Sequence, residues 1–261
     1  MKSSLQFSNP LRISILIFSL LGLQLLYSQP MSGNYTIGGN NPDFTTLQHA
    51  ADALNARGVS GAVLFNVRQG TYIQNGGNSA VLLLDSTVAG LSSTNRITFQ
   101  ADASSGGNVD NVILQMNRTN AATADAHLVK VGLDFITFRN ITFTIIDSLN
   151  IFNSHLVRVE QTNFNSTIED IVFEGCKFIG TTHIGAPGGG SLGTDAGIGS
   201  NQNIVNLTIR GNAFVRLLYG VYNSNGLGVA QGVIVVEDNQ FLEGFSSSSG
   251  SGNALGAAIQ I

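Results

Sequence analysis

His183 and Asp195 are the pair in this sequence best suited to acid–base work, because both lie in the one long stretch from Thr181 to Asn201. A base and a carboxylate in a groove-lining loop are enough to begin a polysaccharide-lyase hypothesis. Such chemistry needs a Lys, Arg or His base and either a neutralising group or a carboxylate cluster for Ca²⁺. The same stretch carries Gly-Ala-Pro-Gly-Gly-Gly-Ser-Leu-Gly, which reads first as a flexible surface insertion. Tyr219 and Tyr222, followed by Asn223 and Asn225, are residue types that stack on a sugar and hydrogen-bond its hydroxyls. The competing reading is that one of the two tyrosines points inward on a strand and only packs. Asp170, Asp195 and Asp238 lack the ligand spacing of a loop such as an EF-hand, so neither a metal site nor a cofactor is expected.

These residues have to be positioned by a repeat. Four segments align: Ile136-Thr-Phe-Arg-Asn-Ile-Thr-Phe143, Ile171-Val-Phe-Glu-Gly-Cys-Lys-Phe178, Leu207-Thr-Ile-Arg-Gly-Asn-Ala-Phe214 and Ile234-Val-Val-Glu-Asp-Asn-Gln-Phe241. Ile97-Thr98-Phe99 begins an earlier copy, and the copies follow one another at about 39, 35, 36 and 27 residues, a constant core with variable loops. Each copy alternates apolar and polar, as a strand does. Each then breaks at Asn140, Gly175, Gly211 or Asp238, residue types that tolerate a left-handed backbone. The copies therefore read as strand, bend, strand, stacked about 4.8 Å apart. Stacking would put Phe143, Phe178, Phe214 and Phe241 in one interior column and Phe99, Phe138, Phe173, Ile209 and Val236 in a second. Just after the bend come Ile141, Cys176, Asn212 and Asn239, where neighbouring asparagines can bond along the stack and Cys176 is a small buried residue. Arg139, Glu174, Arg210 and Glu237 form an outward column of alternating sign, a surface ladder worth little per pair rather than a catalytic group.

The N-terminus has its own logic. Lys2 and Arg12 precede an apolar run from Ile13 to Tyr27 that ends in Ser28-Gln29-Pro30, the layout of a cleaved secretory signal peptide. The expected organisation is a signal peptide over residues 1–28, an N-terminal cap and first coil over 29–90, and β-helix coils over 91–261. Thr45-Thr46-Leu47-Gln48 has capping-box spacing, Leu47, Ala50, Ala51 and Leu54 form one apolar helical stripe, and Gly58 ends the helix. That helix would cover the open end of the coil stack. The far end, Ala258-Ile-Gln-Ile261, alternates like Gly220-Val-Tyr222 one coil earlier and shows no cap, so the expectation is a fragment of a longer protein. A net charge of −4 without a basic stripe argues against nucleic acid as a partner. The single cysteine excludes an internal disulfide, and no second apolar run is long enough to span a membrane.

Taken together these residues resemble the pectin-lyase-like superfamily of right-handed parallel β-helices. Tyr35-Thr-Ile-Gly-Gly, Asp43-Phe-Thr-Thr-Leu-Gln-His-Ala-Ala, Val63-Leu-Phe-Asn-Val, Gly70-Thr-Tyr72 and Asn95-Arg-Ile-Thr-Phe-Gln100 look like the capped start of such helices. The combination is similar to large bacterial surface proteins in which a β-helix precedes a C-terminal sorting domain. The resemblance implies an all-β solenoid with an N-terminal capping α-helix. Within it, Phe135–Phe143, Asn153–Val159 and Phe173–Gly180 fall where pectin methylesterases enter their active-site coils. That family's Gln-Asp pair, whose Asp is the general acid, reads Thr182-His183 here, and Gly70-Thr-Tyr-Ile-Gln74 has Gln where the family has Glu. The resemblance therefore carries the fold and disfavours the esterase.

Two functions are open at this stage. One is an exported, noncatalytic surface module for adhesion, glycan binding or scaffolding, its partner an extracellular polysaccharide or cell-surface glycan. The other is a carbohydrate-active lyase or hydrolase with its catalytic coils in the Thr181–Asn201 loop or beyond residue 261.

Overall fold

The alternation of the repeated segments becomes strands whose odd and even positions differ in burial. In Ile97–Ala101, Ile97, Phe99 and Ala101 are buried, while Thr98 and Gln100 are partly exposed. The structure, a computed structural model, describes residues 29–75, 80–85, 87–118, 126–147, 154–161, 167–180, 184–185, 191–192, 194–200, 202–217, 219–223, 233–242 and 259–260. The expected signal peptide, 1–28, lies outside them. No helix among the described residues is long and apolar enough to cross a membrane.

After a first strand, Met31–Ile37, and a helix, the chain cycles through three parallel sheets coil after coil. Sheet A orders Met31–Ile37, Val59–Val67, Ile97–Ala101, Ile136–Arg139, Thr167–Glu174, Asn203–Arg210 and Ile234–Glu237. Sheet B orders Gly70–Asn75, Val112–Arg118, Thr142–Asp147, Lys177–Ile179, Ala213–Val215 and Gln240–Leu242. Sheet C orders Leu82–Leu84, Ala126–Val131, Ser154–Val159, Thr194–Ser200, Tyr219–Asn223 and Ile259–Gln260. Each strand pairs with its counterpart one coil away, which makes the molecule a right-handed parallel β-helix.

The interior columns follow the register. Phe65, Phe99, Phe138, Phe173, Ile209 and Val236 are successive partners in sheet A, one coil more than the sequence columns contained. In sheet B, Phe143, Phe178, Phe214 and Phe241 stack at centroid separations of 5.0, 4.8 and 5.0 Å, with ring planes within 9° of parallel. These separations match the spacing of paired strands, so each ring meets the next at van der Waals distance without backbone distortion. The two columns interlock edge to face, Phe138 on Phe143 at 5.6 Å and Phe173 on Phe178 at 5.8 Å.

The turn from sheet A to sheet B holds these columns in phase. In four successive coils it is two residues: Asn140-Ile141, Gly175-Cys176, Gly211-Asn212 and Asp238-Asn239. The first of each pair has φ near +60°: 55° at Asn140, 62° at Gly175, 63° at Gly211 and 55° at Asp238. The second turns back into the wall of the stack. There Asn212 Oδ1 accepts from Cys176 N at 2.8 Å, Asn212 Nδ2 donates to Phe173 O and to Asn239 Oδ1 (both 3.0 Å), and Asn239 Nδ2 donates to Ile209 O. The ladder supplies partners for backbone groups that the bend removes from the sheets. Burial pushes the Cys176 thiol up to about 12, so it stays protonated and serves as packing.

Helix α1 (Leu47–Arg57) buries Leu47, Ala50, Ala51 and Leu54 as the stripe requires, against the first strands of sheets A and C. Its start differs by one residue from the capping-box spacing. Thr46, not Thr45, is the N-cap, its hydroxyl accepting from His49 N at 3.1 Å. Gln48 is then free to reach away from the helix and accept from Leu83 N at 2.9 Å, which ties the cap to the first strand of sheet C. Gly58 closes the helix with φ 66° and its N–H on Leu54 O.

Candidate functional site

Sheet C breaks the alternation that sheets A and B keep. Successive residues of a strand face opposite ways, yet Leu128 and Val129, Leu156 and Val157, and Ala196 through Ser200 are all buried. The middle of this sheet is covered on both sides. His127, His155, Tyr219, Tyr222 and the buried Asn223 lie on this sheet.

His127 and His155 are direct register partners on adjacent coils, within the paired strands Ala126-His-Leu-Val-Lys-Val131 and Ser154-His-Leu-Val-Arg-Val159. Both imidazoles are largely buried, and the Nδ1 of each has no hydrogen-bond partner. Burial, with His127 as a secondary cause, drives His155 down to about 4. Burial and then the Lys130 charge lower His127. Both rings are therefore neutral at neutral pH. A Cβ on Gly199 would lie 2.1 Å from His155 Cδ2, so glycine at 199 leaves the space the imidazole fills. Beyond it, the Tyr222 ring lies 6.5 Å from His155, and Tyr219 lies 5.2 Å from Tyr222 with planes at 38°.

The charged residues of this sheet are spoken for in different degrees. Arg158 Nε is paired with Glu160, both little exposed. Lys130 Nζ stands 3.8 Å from Asp85, beyond hydrogen-bond length. Register rows run Lys130, Arg158, Gly199, Tyr222, Gln260 and His127, His155, Ala196, Tyr219. Neither row contains a carboxylate. Buried Asn223, at 6% exposure, has neither amide atom hydrogen-bonded, while its partner Ser200 donates to Val159 O at 2.7 Å.

Of the residues singled out in the sequence, Tyr219, Tyr222 and Asn223 are thus brought together on one strand, both tyrosines half-buried. Asn225 and His183 lie outside the described residues. Asp195 is not in a loop as expected. Its backbone belongs to the strand Thr194–Ser200, while a short antiparallel pair, Ile184–Gly185 with Ser191–Leu192, precedes it. The segment therefore re-enters sheet C earlier than its glycine content indicated, because it must pair with Ser154–Val159. His127 and His155 were missed. Their signal was in the sequence all the same, as the near-identical Ala-His-Leu-Val-Lys-Val and Ser-His-Leu-Val-Arg-Val segments of consecutive coils.

At the first-coil end of sheet C a half-open cavity of about 740 Å³ lies between α1 and the strands, lined by Thr46, Gln48, Tyr72, Ile73, Val81, Leu83, His127 and Lys130, among others. No group of three or more His, Cys, Asp or Glu among the described residues is placed to hold a metal ion.

No family model matches this sequence, and no curated protein matches it. Among solved structures the chain is similar to pectin methylesterase from Aspergillus niger in penultimately deglycosylated form, at 14% identity and a TM-score of 0.34, over 88% of this chain and 95% of that one. It is also similar to the deglycosylated form of that enzyme, at 13% identity and a TM-score of 0.26, over 88% and 96% of the two chains. At these values neither likeness bears on activity; the β-helix stands on the strand pairing itself.

Proposed function

We propose that this chain is an exported, noncatalytic β-helix that binds a glycan at the cell surface through sheet C. The observation that carries this reading is the Tyr219–Tyr222 ring pair, half-buried and 5.2 Å apart, on rows that hold histidines and cations and no carboxylate. Aromatic faces with a polar edge bind sugars by stacking on their C–H faces while nearby amides and hydroxyls take the ring hydroxyls. Glycosidase or esterase chemistry needs paired carboxylates facing the substrate, and these rows offer none. The charged-then-apolar layout of residues 1–28 supports export.

The test is retention on an array of neutral and acidic oligosaccharides, with the same mixtures assayed for new reducing ends and unsaturated products. Binding without turnover is expected, with Tyr219→Ala and Tyr222→Ala each losing about tenfold in affinity. Turnover of any glycan, or a double variant that binds like the parent, overturns the reading.

A further inference from the structure

Gly199 leaves a gap in one row of sheet C, and a residue from another row fills it. The row runs Lys130, Arg158, Gly199, Tyr222 on successive coils, and only at Gly199 does it lack a side chain. A Cβ there would lie 2.1 Å from His155 Cδ2 and 2.7 Å from its Nε2, so the imidazole lies over the Gly199 backbone. On the next coil stands Tyr222, its ring centroid 6.5 Å from that of His155 with planes at 32°. Tyr219 is 5.2 Å from Tyr222. Both separations are those of interacting aromatic rings. Without the imidazole, the neighbour of Tyr222 on the preceding coil is a bare glycine.

This niche suits the neutral ring. His155 Nδ1 is buried without a partner. Among the described side chains, the preceding coil brings His127 and the Lys130–Asp85 pair, and the strand of His155 brings Arg158 and Glu160. Residues 196–200 bring no titratable group, and the strand after them brings Tyr219 and Tyr222. The carboxylate that acts on His155, Glu160, is already paired with Arg158. A proton makes both ring nitrogens donors, one of them buried with no acceptor, and sets a charge beside His127. Burial and that neighbour depress His155 to about 4. Turning out to solvent relieves the imidazolium of both costs and reopens the space above Gly199.

We propose that His155 is a positioning residue for Tyr222, and that its protonation withdraws the imidazole, so that acid loosens the tyrosine pair and releases a glycan held there. The release rests on the glycan reading of that pair and adds its regulation. The positioning of Tyr222 stands on the ring contacts and the Gly199 gap, with or without a sugar.

The chain has five tyrosines and no tryptophan, so its emission reports on tyrosine alone. Titrated without any sugar, the full chain should show a reversible change in that emission while its far-ultraviolet circular dichroism stays constant. The step should centre between about 4, for the ring in place, and about 6.5, for a solvated imidazole. It should vanish in His155→Gln and in Tyr222→Phe. Gly199→Ala fills the niche and should give the acid emission already at neutral pH; it serves if His155→Gln fails to fold. An array of neutral oligosaccharides, repeated below the step, should retain the parent about fivefold less than at neutral pH and His155→Gln equally at both. Absence of the step, its persistence in folded His155→Gln, or equal retention of the parent at both pH values overturns the proposal. An array that retains nothing at any pH overturns the glycan reading instead, and the emission step still decides whether His155 positions Tyr222.

Discussion

The corner between sheets A and B and the surroundings of sheet C are built on opposite rules. The corner is two residues in four consecutive coils, with a left-handed residue first and a ladder residue second. The connections into and out of sheet C vary widely in length, from two residues at 201–202 to sixteen at 243–258. The irregular period of the three later intervals comes from these connections; the earlier interval from Ile97 to Ile136 also holds a longer corner, 102–111, with the short 3-10 turn Ala103–Ser105. A two-residue corner fixes where the next strand starts, so the phenylalanine columns stay in phase however long the other connections are. Sheet C can then carry histidines, tyrosines and unpaired polar atoms that a load-sharing column would not tolerate. The corner keeps the columns in phase; the third sheet is where segments of unequal length meet the strands, the kind of place where binding residues collect in other folds.

Breaking the columns gives the largest effect. Phe178 touches Phe143, Phe173 and Phe214 at 5.0, 5.8 and 4.8 Å and is fully buried. Phe178→Ala should cost about 3–5 kcal/mol in denaturant unfolding; a loss below about 1 kcal/mol would mean that the column does not bear the fold. Next comes the pH response of sheet C. Folded His155 protonates near pH 4, whereas an unfolded imidazole does so near about 6.5. Its contribution is complete above the unfolded value, declines as pH falls towards 4 and changes no further below it. The decline is about 3 kcal/mol at most, and His155→Leu should flatten unfolding curves in that window. Asp43 and Asp102 act in a lower window. Hydrogen bonds from Thr36 and from Ser104 hold these carboxyls low, so their stabilisation is present above the ordinary carboxylate range and is lost below it. The smallest effect belongs to the outer face of sheet A. Arg139 Nε donates to Glu174 Oε2 at 2.9 Å, but both side chains are well exposed. Arg139→Ala should therefore cost under about 1 kcal/mol, and less in high salt.

The sequence by itself determined the coil. Period-two alternation selects strands, a Gly, Asn or Asp at a constant place selects the bend, and aligned phenylalanines select the register, because a slip of one residue would turn every ring to solvent. It also specified the helix stripe and the partnership of Asn212 with Asn239, since these depend on intervals within a repeat. What only the tertiary structure decided lies on sheet C. The approach of Tyr222 to His155 depends on three coils stacking with Gly199 between them. The Gln48 link to Leu83 depends on a cap one residue later than the capping-box spacing. The chamber above Lys130 depends on where α1 comes to rest against the first coil. Local patterns are set by neighbours in sequence and can be read from it. Distances between coils are set by close packing of side chains far apart in the chain, and no spacing along one strand encodes them.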